Sequence, residues 1–161
     1  MNNLTLVIPA KNESVSLPIV LKELRDLNIN KIVVLEESDL KTIEAIKSFD
    51  CKIIYQKGRG YGDALIQGIY NVETEYLCIF NADGSFDPKY LEDMLSKCEN
   101  DLDFVFASRY MNGSGTEDDT IITAIGNYAF SLIGNIFFSL RLSDILFTYL
   151  LGKTSSFKKL N

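Results

Sequence analysis

Short apolar runs alternate along this chain with stretches of helical periodicity. Leu4-Thr-Leu-Val-Ile8 reads as a strand closed by Pro9. A helix is expected over 14–27, with Pro18 in its first turn and Leu17, Leu21 and Leu24 on one face. Ile32-Val-Val-Leu35 is a second strand. Asp39 then caps a helix whose apolar positions are Leu40, Ile43, Ile46 and Phe49. Ile53-Ile-Tyr55 is a third strand, and KGRGYGDA turns it into a helix over 62–72. Tyr76 to Phe80 is almost wholly apolar, the mark of a strand buried on both faces. Asp87-Pro88 opens a helix that runs to Cys98, Phe104-Val-Phe-Ala107 is a fifth strand, and MNGSGTEDD is a flexible loop.

Strands alternating with helices predict an α/β fold with a mostly parallel sheet flanked by helices. Ligands of such sheets sit at the carboxyl ends of the strands. The unusual residues cluster there: Pro9 to Glu13, Glu36-Glu37-Ser38, Lys57 to Asp63, Asn81 to Ser85, and Ser108-Arg109. Five polar or glycine-rich strand ends are read as one site.

Residues 120–140 carry no charge. A helix of that length would span about 30 Å, roughly a bilayer core. Yet Thr120, Thr123, Asn127, Ser131, Asn135 and Ser139 form one polar stripe along it. The expectation is therefore an amphipathic, peripheral helix that buries Ile125, Phe130, Ile133 and Phe137. Packing on the protein ranks first as the way that face is covered, a homodimer interface second and peripheral membrane contact third. The segment echoes itself, IGNYAFSL then IGNIFFSL, too briefly for a repeat architecture.

Composition narrows the chemistry. A net charge of −6 and a pI near 4.7 argue against nucleic acid as a partner, while a bound divalent metal would still admit an anionic ligand. The absence of histidine removes Ser-His and Cys-His catalysis and His-liganded zinc, so a metal here is held by oxygens, which suits Mg²⁺ or Mn²⁺. The three cysteines, 51, 78 and 98, lack metal-ligand spacing, and Cys78 reads as a core residue. They fit a reduced, cytoplasmic setting, extending at most to the inner membrane face; the N-terminus reads as free of a signal peptide. Two motifs mislead. GRGYGDA spaces its glycines as G-x-G-x-G after the third strand, not as a dinucleotide fingerprint, and Gly152-Lys153-Thr154 lacks the glycine a P-loop needs at 147, which is Phe.

Five segments in order resemble the family 2 glycosyltransferases of the GT-A fold, in the branch similar to dolichyl-phosphate mannosyltransferase. They are VIPAKNE, GRGYGDALIQGI, FNADGSFDP, FASRY and LRLSD at 140–144. The likeness covers nearly the whole chain and implies a single catalytic domain over 1–161, short at its C-terminus. The family's D-x-D opens here with Asn81, its D-D-G-S is Glu36-Glu37-Ser38-Asp39, and its T-x-G-F-R is replaced by ILFTYLLGKTSSFKKLN.

The resemblance implies transfer of a sugar from a nucleoside-diphosphate sugar, metal-assisted and inverting, to a polyprenyl phosphate or another membrane-linked glycan. Asp83 is then the metal ligand, aided by Ser85, and Asn81 and Ala82 line the donor. Pro9 and Glu13 seat the nucleotide, and Glu36 or Glu37 accepts hydrogen bonds from the base. Lys57, Arg59 and Gly60 approach the diphosphate. Arg109 touches a phosphate or braces Asp83, and Asp144 is either a general base for a hydroxyl acceptor or a structural group. The alternative is a nucleotide-sugar-binding domain without turnover.

Overall fold

The computed structural model describes residues 1–111 and 121–160; the flexible loop expected over 111–119 falls, but for its first residue, outside the described residues. The chain divides into two compact units, Met1–Val105 with Leu150–Asn161, and Phe106–Tyr149.

The first unit carries the expected alternation. Strands β1 (Leu4–Pro9), β2 (Asn30–Leu35), β3 (Lys52–Tyr55) and β4 (Tyr76–Ile79) are separated by helices α1 (Ser16–Glu23), α2 (Leu40–Ile46) and α3 (Tyr61–Tyr70). A 3-10 turn, Pro88–Tyr90, leads into α4 (Leu91–Glu99), and β5 (Phe104–Phe106) follows. The sheet order is β3-β2-β1-β4-β6-β5, with β1 parallel to both β2 and β4, and β2 parallel to β3. The α/β, mostly parallel expectation holds. Strand β4 is buried throughout, as its apolar run requires, and Cys78 is a core residue.

One strand was not anticipated. Leu150–Lys153 forms β6, which lies antiparallel to β4 inside the sheet. The glycine and lysine that mimic a P-loop end this strand, and Thr154–Phe157 continues as a short helix, α6. Gly152 is there for space: a Cβ would stand 2.5 Å from the Asp103 carbonyl and 2.6 Å from the Phe104 ring.

Helix α3 covers one face of the sheet, where Val7, Ile32, Val34, Ala64, Leu77 and Ile79 share a core. Each large aliphatic side chain so buried contributes about 1.5–3 kcal/mol. Gly68 lets α3 approach closely, since a Cβ there would meet Val7 Cγ1 at 2.3 Å. Asp39 caps α2 as expected, accepting from the Thr42 N–H. The face of that helix differs, because Thr42 and Ile46 bury while Leu40 is exposed.

The second unit contains α5 (Ile121–Phe138) and the segment that follows it. Here the expected orientation is reversed. Asn127 and Ser131 are each 4% exposed, whereas Ile125 is 65%, Phe130 58% and Phe137 78% exposed. Asn127, Ser131 and Asn135 of the polar stripe face residues 142–145 of irregular backbone, Ser139 lies exposed beyond the helix, and the side chains of Thr120 and Thr123 fall outside the described residues. Asn135 donates to the Leu142 carbonyl and accepts from its N–H, and the Ser131 hydroxyl accepts from the Ile145 N–H. Those peptide groups need partners once buried, and short amide and hydroxyl side chains supply them. Gly134 allows the approach, its Cβ position being 2.4 Å from Ile145 Cδ1. Among the described residues no helix is long and apolar enough to cross a membrane.

Candidate functional site

The chain runs from β1 outward through β2 to β3, then returns to place β4 on the other side of β1. A crevice opens at the carboxyl ends of strands where such an order reverses. A cleft of about 320 Å³ lies at that point. Pro9, Glu13, Glu36, Gly60, Asn81, Ala82 and Asp83 line it, so four of the five strand ends expected to form one site contribute, and the fifth, Ser108-Arg109, is not in the lining. Glu37, Lys57, Arg59 and Ser85 stand in the same loops but outside the lining. Lys11, Gln56, Tyr61 and Ala64 line the cleft without having been singled out. Their signal was positional, since Lys11 and Gln56 come just after β1 and β3.

The loop after β1 is held by the loop after β2. Pro9 pairs with Val34, and the Ala10 N–H donates to the Val34 carbonyl at 2.8 Å. Asn12 then takes a left-handed conformation, φ 61°, which asparagine tolerates, and its N–H donates to Asp39 Oδ2 at 2.7 Å. Asp39 thus joins the two loops while capping α2. Burial opposes its ionisation, but the bonds from Asn12 and Thr42 outweigh that and hold its carboxyl below the usual range.

Beside it, Lys11 Nζ donates to Glu36 Oε1 at 2.8 Å. That bond is the main reason the Glu36 carboxyl lies low, and Arg59 is near enough for its charge to act in the same direction. Glu13 accepts from the Ser16 hydroxyl at the start of α1.

The glycine-rich turn after β3 is closed by its own side chains. Gln56 Nε2 donates to the Gly60 carbonyl at 2.9 Å, and the Gly58 N–H donates to Asp63 Oδ2 at 2.9 Å. Gly60, at φ 88°, caps α3 in a conformation that favours glycine. After β4, Asp83 Oδ1 accepts from the Ser85 N–H at 2.9 Å, and Asn81 Nδ2 donates to Ser85 Oγ at 3.0 Å. Gly84 takes the left-handed position, φ 83°, between them. Asn81, Asp83 and Ser85 therefore present a carboxylate, an amide and a hydroxyl in one turn.

Within the second unit, Asp144 is buried and receives four donors. The Arg109 N–H and Nε reach Oδ2 at 3.1 and 2.8 Å, and Arg109 Nη2 and Asn127 Nδ2 reach Oδ1 at 3.0 and 2.8 Å. Burial pushes the Asp144 carboxyl up, yet the Arg109 bonds overcome it and the group lies below its ordinary range. The Arg109 guanidinium also sits over the Phe147 ring at 5.1 Å.

Comparison with known proteins agrees with this fold. Glucosyl-3-phosphoglycerate synthase from Mycobacterium tuberculosis, solved in complex with UDP, superposes with a TM-score of 0.70 at 14% identity, over 94% of this chain and 57% of that one. Mannosyl-3-phosphoglycerate synthase from Rubrobacter xylanophilus superposes with a TM-score of 0.75 at 17% identity, over 96% and 54%. These likenesses show the GT-A fold. Uncharacterized glycosyltransferases of Mycobacterium bovis and Mycobacterium tuberculosis are 28% identical over 105 residues, 65% of this chain and 48% of theirs. The chain thus spans about half the length of the curated relatives it matches. The profile of glycosyl transferase family 2 matches residues 5–160, and the chain belongs to that family.

Proposed function

We propose that this chain binds a nucleoside-diphosphate sugar in the cleft between the ends of β1 and β4 and transfers the sugar, with inversion, to a phosphate-bearing acceptor. The observation that carries the reading is the convergence of Glu13, Glu36, Gly60 and Asp83 on one cleft at the reversal of strand order. In the reaction an acceptor oxygen forms a bond to the anomeric carbon as the bond to the leaving diphosphate breaks, and the diphosphate keeps that electron pair.

The residues at the β4 end fit Mg²⁺ or Mn²⁺. They offer only oxygen ligands and one carboxylate, and Mg²⁺ is commonly held by one or two carboxylates with substrate phosphates and water completing its shell. Among the described residues no group of three or more acidic or thiol side chains gathers, here or elsewhere, so a cation at Asp83 would draw the rest of its shell from substrate phosphates and water. Asp83 would hold the cation, with Asn81 and Ser85 shaping its turn. The cation supplies charge neutralisation at the diphosphate. The similar glucosyl-3-phosphoglycerate synthase has been solved with Mn²⁺ and UDP, which supports the same assignment here.

The N–H groups that open α3 behind Gly60 offer donors to the diphosphate or the sugar. Glu37, Lys57 and Arg59 act from the rim. Asp144 is poorly suited to proton abstraction, since both its oxygens are occupied and its basicity is lowered. Its role is to hold Arg109 within its own unit. An ionised phosphate acceptor needs no base, so this fits the reading.

Polyprenyl phosphate, the acceptor of the dolichyl-phosphate mannosyltransferase-like branch, is supported by the exposed apolar residues of α5. Phosphoglycerate is supported by the acid found with the similar synthase. Binding without turnover is favoured by one observation, Asn81 in place of a carboxylate.

Calorimetry with nucleoside diphosphates in Mn²⁺ and in EDTA tests the donor site. Binding should need the metal, and Asp83→Ala should remove that dependence. Equal affinity in both buffers would sink the metal assignment. Release of nucleoside diphosphate on adding polyprenyl phosphate or phosphoglycerate then separates turnover from binding alone.

A further inference from the structure

We propose that α5 pairs, antiparallel, with the α5 of a second copy of this chain through its outward apolar face. The inference is independent of the nucleotide-sugar reading, and it gives that face an occupant other than a lipid acceptor.

The helix does not cover this face within its own unit. Asn127, Ser131 and Asn135 are bonded to Asp144, Ile145 and Leu142, which fixes the inward side. Ile125, Tyr128, Leu132, Ile133, Ile136 and Phe137 are left between 47% and 78% exposed on the other side. At about 200 Å² for each such side chain in the open, these fractions leave on the order of 800 Å² of apolar surface. The largest apolar patch of a typical monomer is about 300–600 Å², and a stable protein pair buries about 800 Å² on each partner. The face is thus larger than a lone surface ordinarily carries and about the size that a dimer needs.

Its relief fits a copy of itself. Steps of four residues form ridges along a helix. Ile125, Ala129, Ile133 and Phe137 make one ridge, and Tyr128, Leu132 and Ile136 make the ridge beside it. With two copies antiparallel about a twofold axis beside Leu132 and Ile133, each ridge lies against the other ridge of its partner. Leu132 then meets the partner's Ile133, Ala129 the partner's Ile136, and Tyr128 the partner's Phe137. Ala129 is small and exposed, so the two backbones approach at the middle of the contact and a larger side chain fills the hollow it leaves. A twofold contact repeats every pair, which closes the assembly at two copies. The echo of IGNYAFSL in IGNIFFSL has a period of eight, two steps along such a ridge, and so keeps both halves of the outer face apolar.

Charge separates a second copy from a membrane surface. Residues 120–140 carry no lysine or arginine and the chain carries −6, so nothing draws this face to acidic headgroups. Two copies meet here through uncharged side chains, and no like charges are brought together.

Sedimentation equilibrium of the full chain at about 100 µM, above the micromolar limit for an interface of this size, tests the pairing. The expected mass is twice the 18.1 kDa of one chain. Ala129→Glu puts a charge at the centre of the contact, on a residue the single chain leaves exposed. It should return the protein to the mass of one chain with an unchanged circular dichroism spectrum. Leu102→Glu, on an exposed residue of the other unit, should leave the dimer intact. The register has its own test. Ala129→Ile sets two large side chains against each other and should weaken the pairing, and Ile136→Ala added to it should restore the pairing by exchanging large for small. A dimer that survives Ala129→Glu would place the contact elsewhere and overturn the proposal. So would a wild type at the mass of one chain, and flotation of that single chain with phosphatidylcholine vesicles would assign the face to lipid instead. Failure of Ile136→Ala to restore pairing would overturn the antiparallel register.

Discussion

Asp144 is held by Arg109 through three hydrogen bonds, one from the backbone N–H and two from the guanidinium, with Asn127 supplying a fourth donor. The bond from α5 and the bonds from the residues after β5 converge on this one carboxylate. It is therefore a structural centre of its unit. Asp144→Ala should cost about 2–3 kcal/mol, less than the 3–5 expected of a fully buried pair, because Arg109 keeps some solvent. Denaturant unfolding of wild type and variant measures it, and a loss below about 0.5 kcal/mol would contradict the assignment.

The same group predicts a direction for acid stability. Its carboxyl is lowered in the folded protein from an ordinary value of 3.8. A lowered acid stabilises the fold at all pH above its unfolded value and ceases to do so as pH falls through the folded one. Asp39 is lowered likewise. Both contributions should be intact at pH 5 and fade below about pH 4. Asp144→Asn should flatten that acid limb in thermal melts from pH 5 to 2. An unchanged limb would assign acid sensitivity to other groups.

Asp39 joins the loops after β1 and β2 and caps α2. Asp39→Ala should cost about 0.5–2 kcal/mol, the range for a lost helix cap. It should also weaken nucleotide binding, because the backbone beneath Lys11 loses its tether. Titration of nucleoside diphosphate against this variant checks the second point; unaltered affinity would show that the tether serves stability alone.

The inverted face of α5 gives a contrast between two neighbouring substitutions. Asn135→Leu leaves the Leu142 N–H and carbonyl without their partners and should cost about 1–3 kcal/mol. Phe137→Ser touches a side chain exposed in the single chain and should change the stability of the dissociated protein by less than about 0.5 kcal/mol. The opposite ranking would mean that the apolar face, not the polar one, is packed within the chain.

Gly152→Ala tests β6. A methyl there meets the Asp103 carbonyl, which is backbone and cannot swing aside. The variant should lose about 1–3 kcal/mol, as overpacked cores do. Melting temperature reads this directly, and a neutral result would argue against β6 lying inside the sheet.

The sequence by itself determined the order of most elements and the strand ends that build the cleft. Strand β4 was legible because burial on both faces leaves an unbroken apolar run, and Asp39 and Asp87 because caps act within a few residues. Lys11 and Gln56 were not legible as lining groups, since no local pattern says which residues of a loop turn into a cleft. Tertiary structure alone decided two further points. Leu150–Lys153 is a strand only because β4 and β5 leave a place between them, and four residues carry too little periodicity to announce it. The stripe on α5 was visible as a stripe, but periodicity identifies a face without orienting it. The orientation came from the part-buried N–H and carbonyl groups of residues 142–145, whose need for hydrogen-bond partners turns the polar face inward and leaves Phe130 and Phe137 outside.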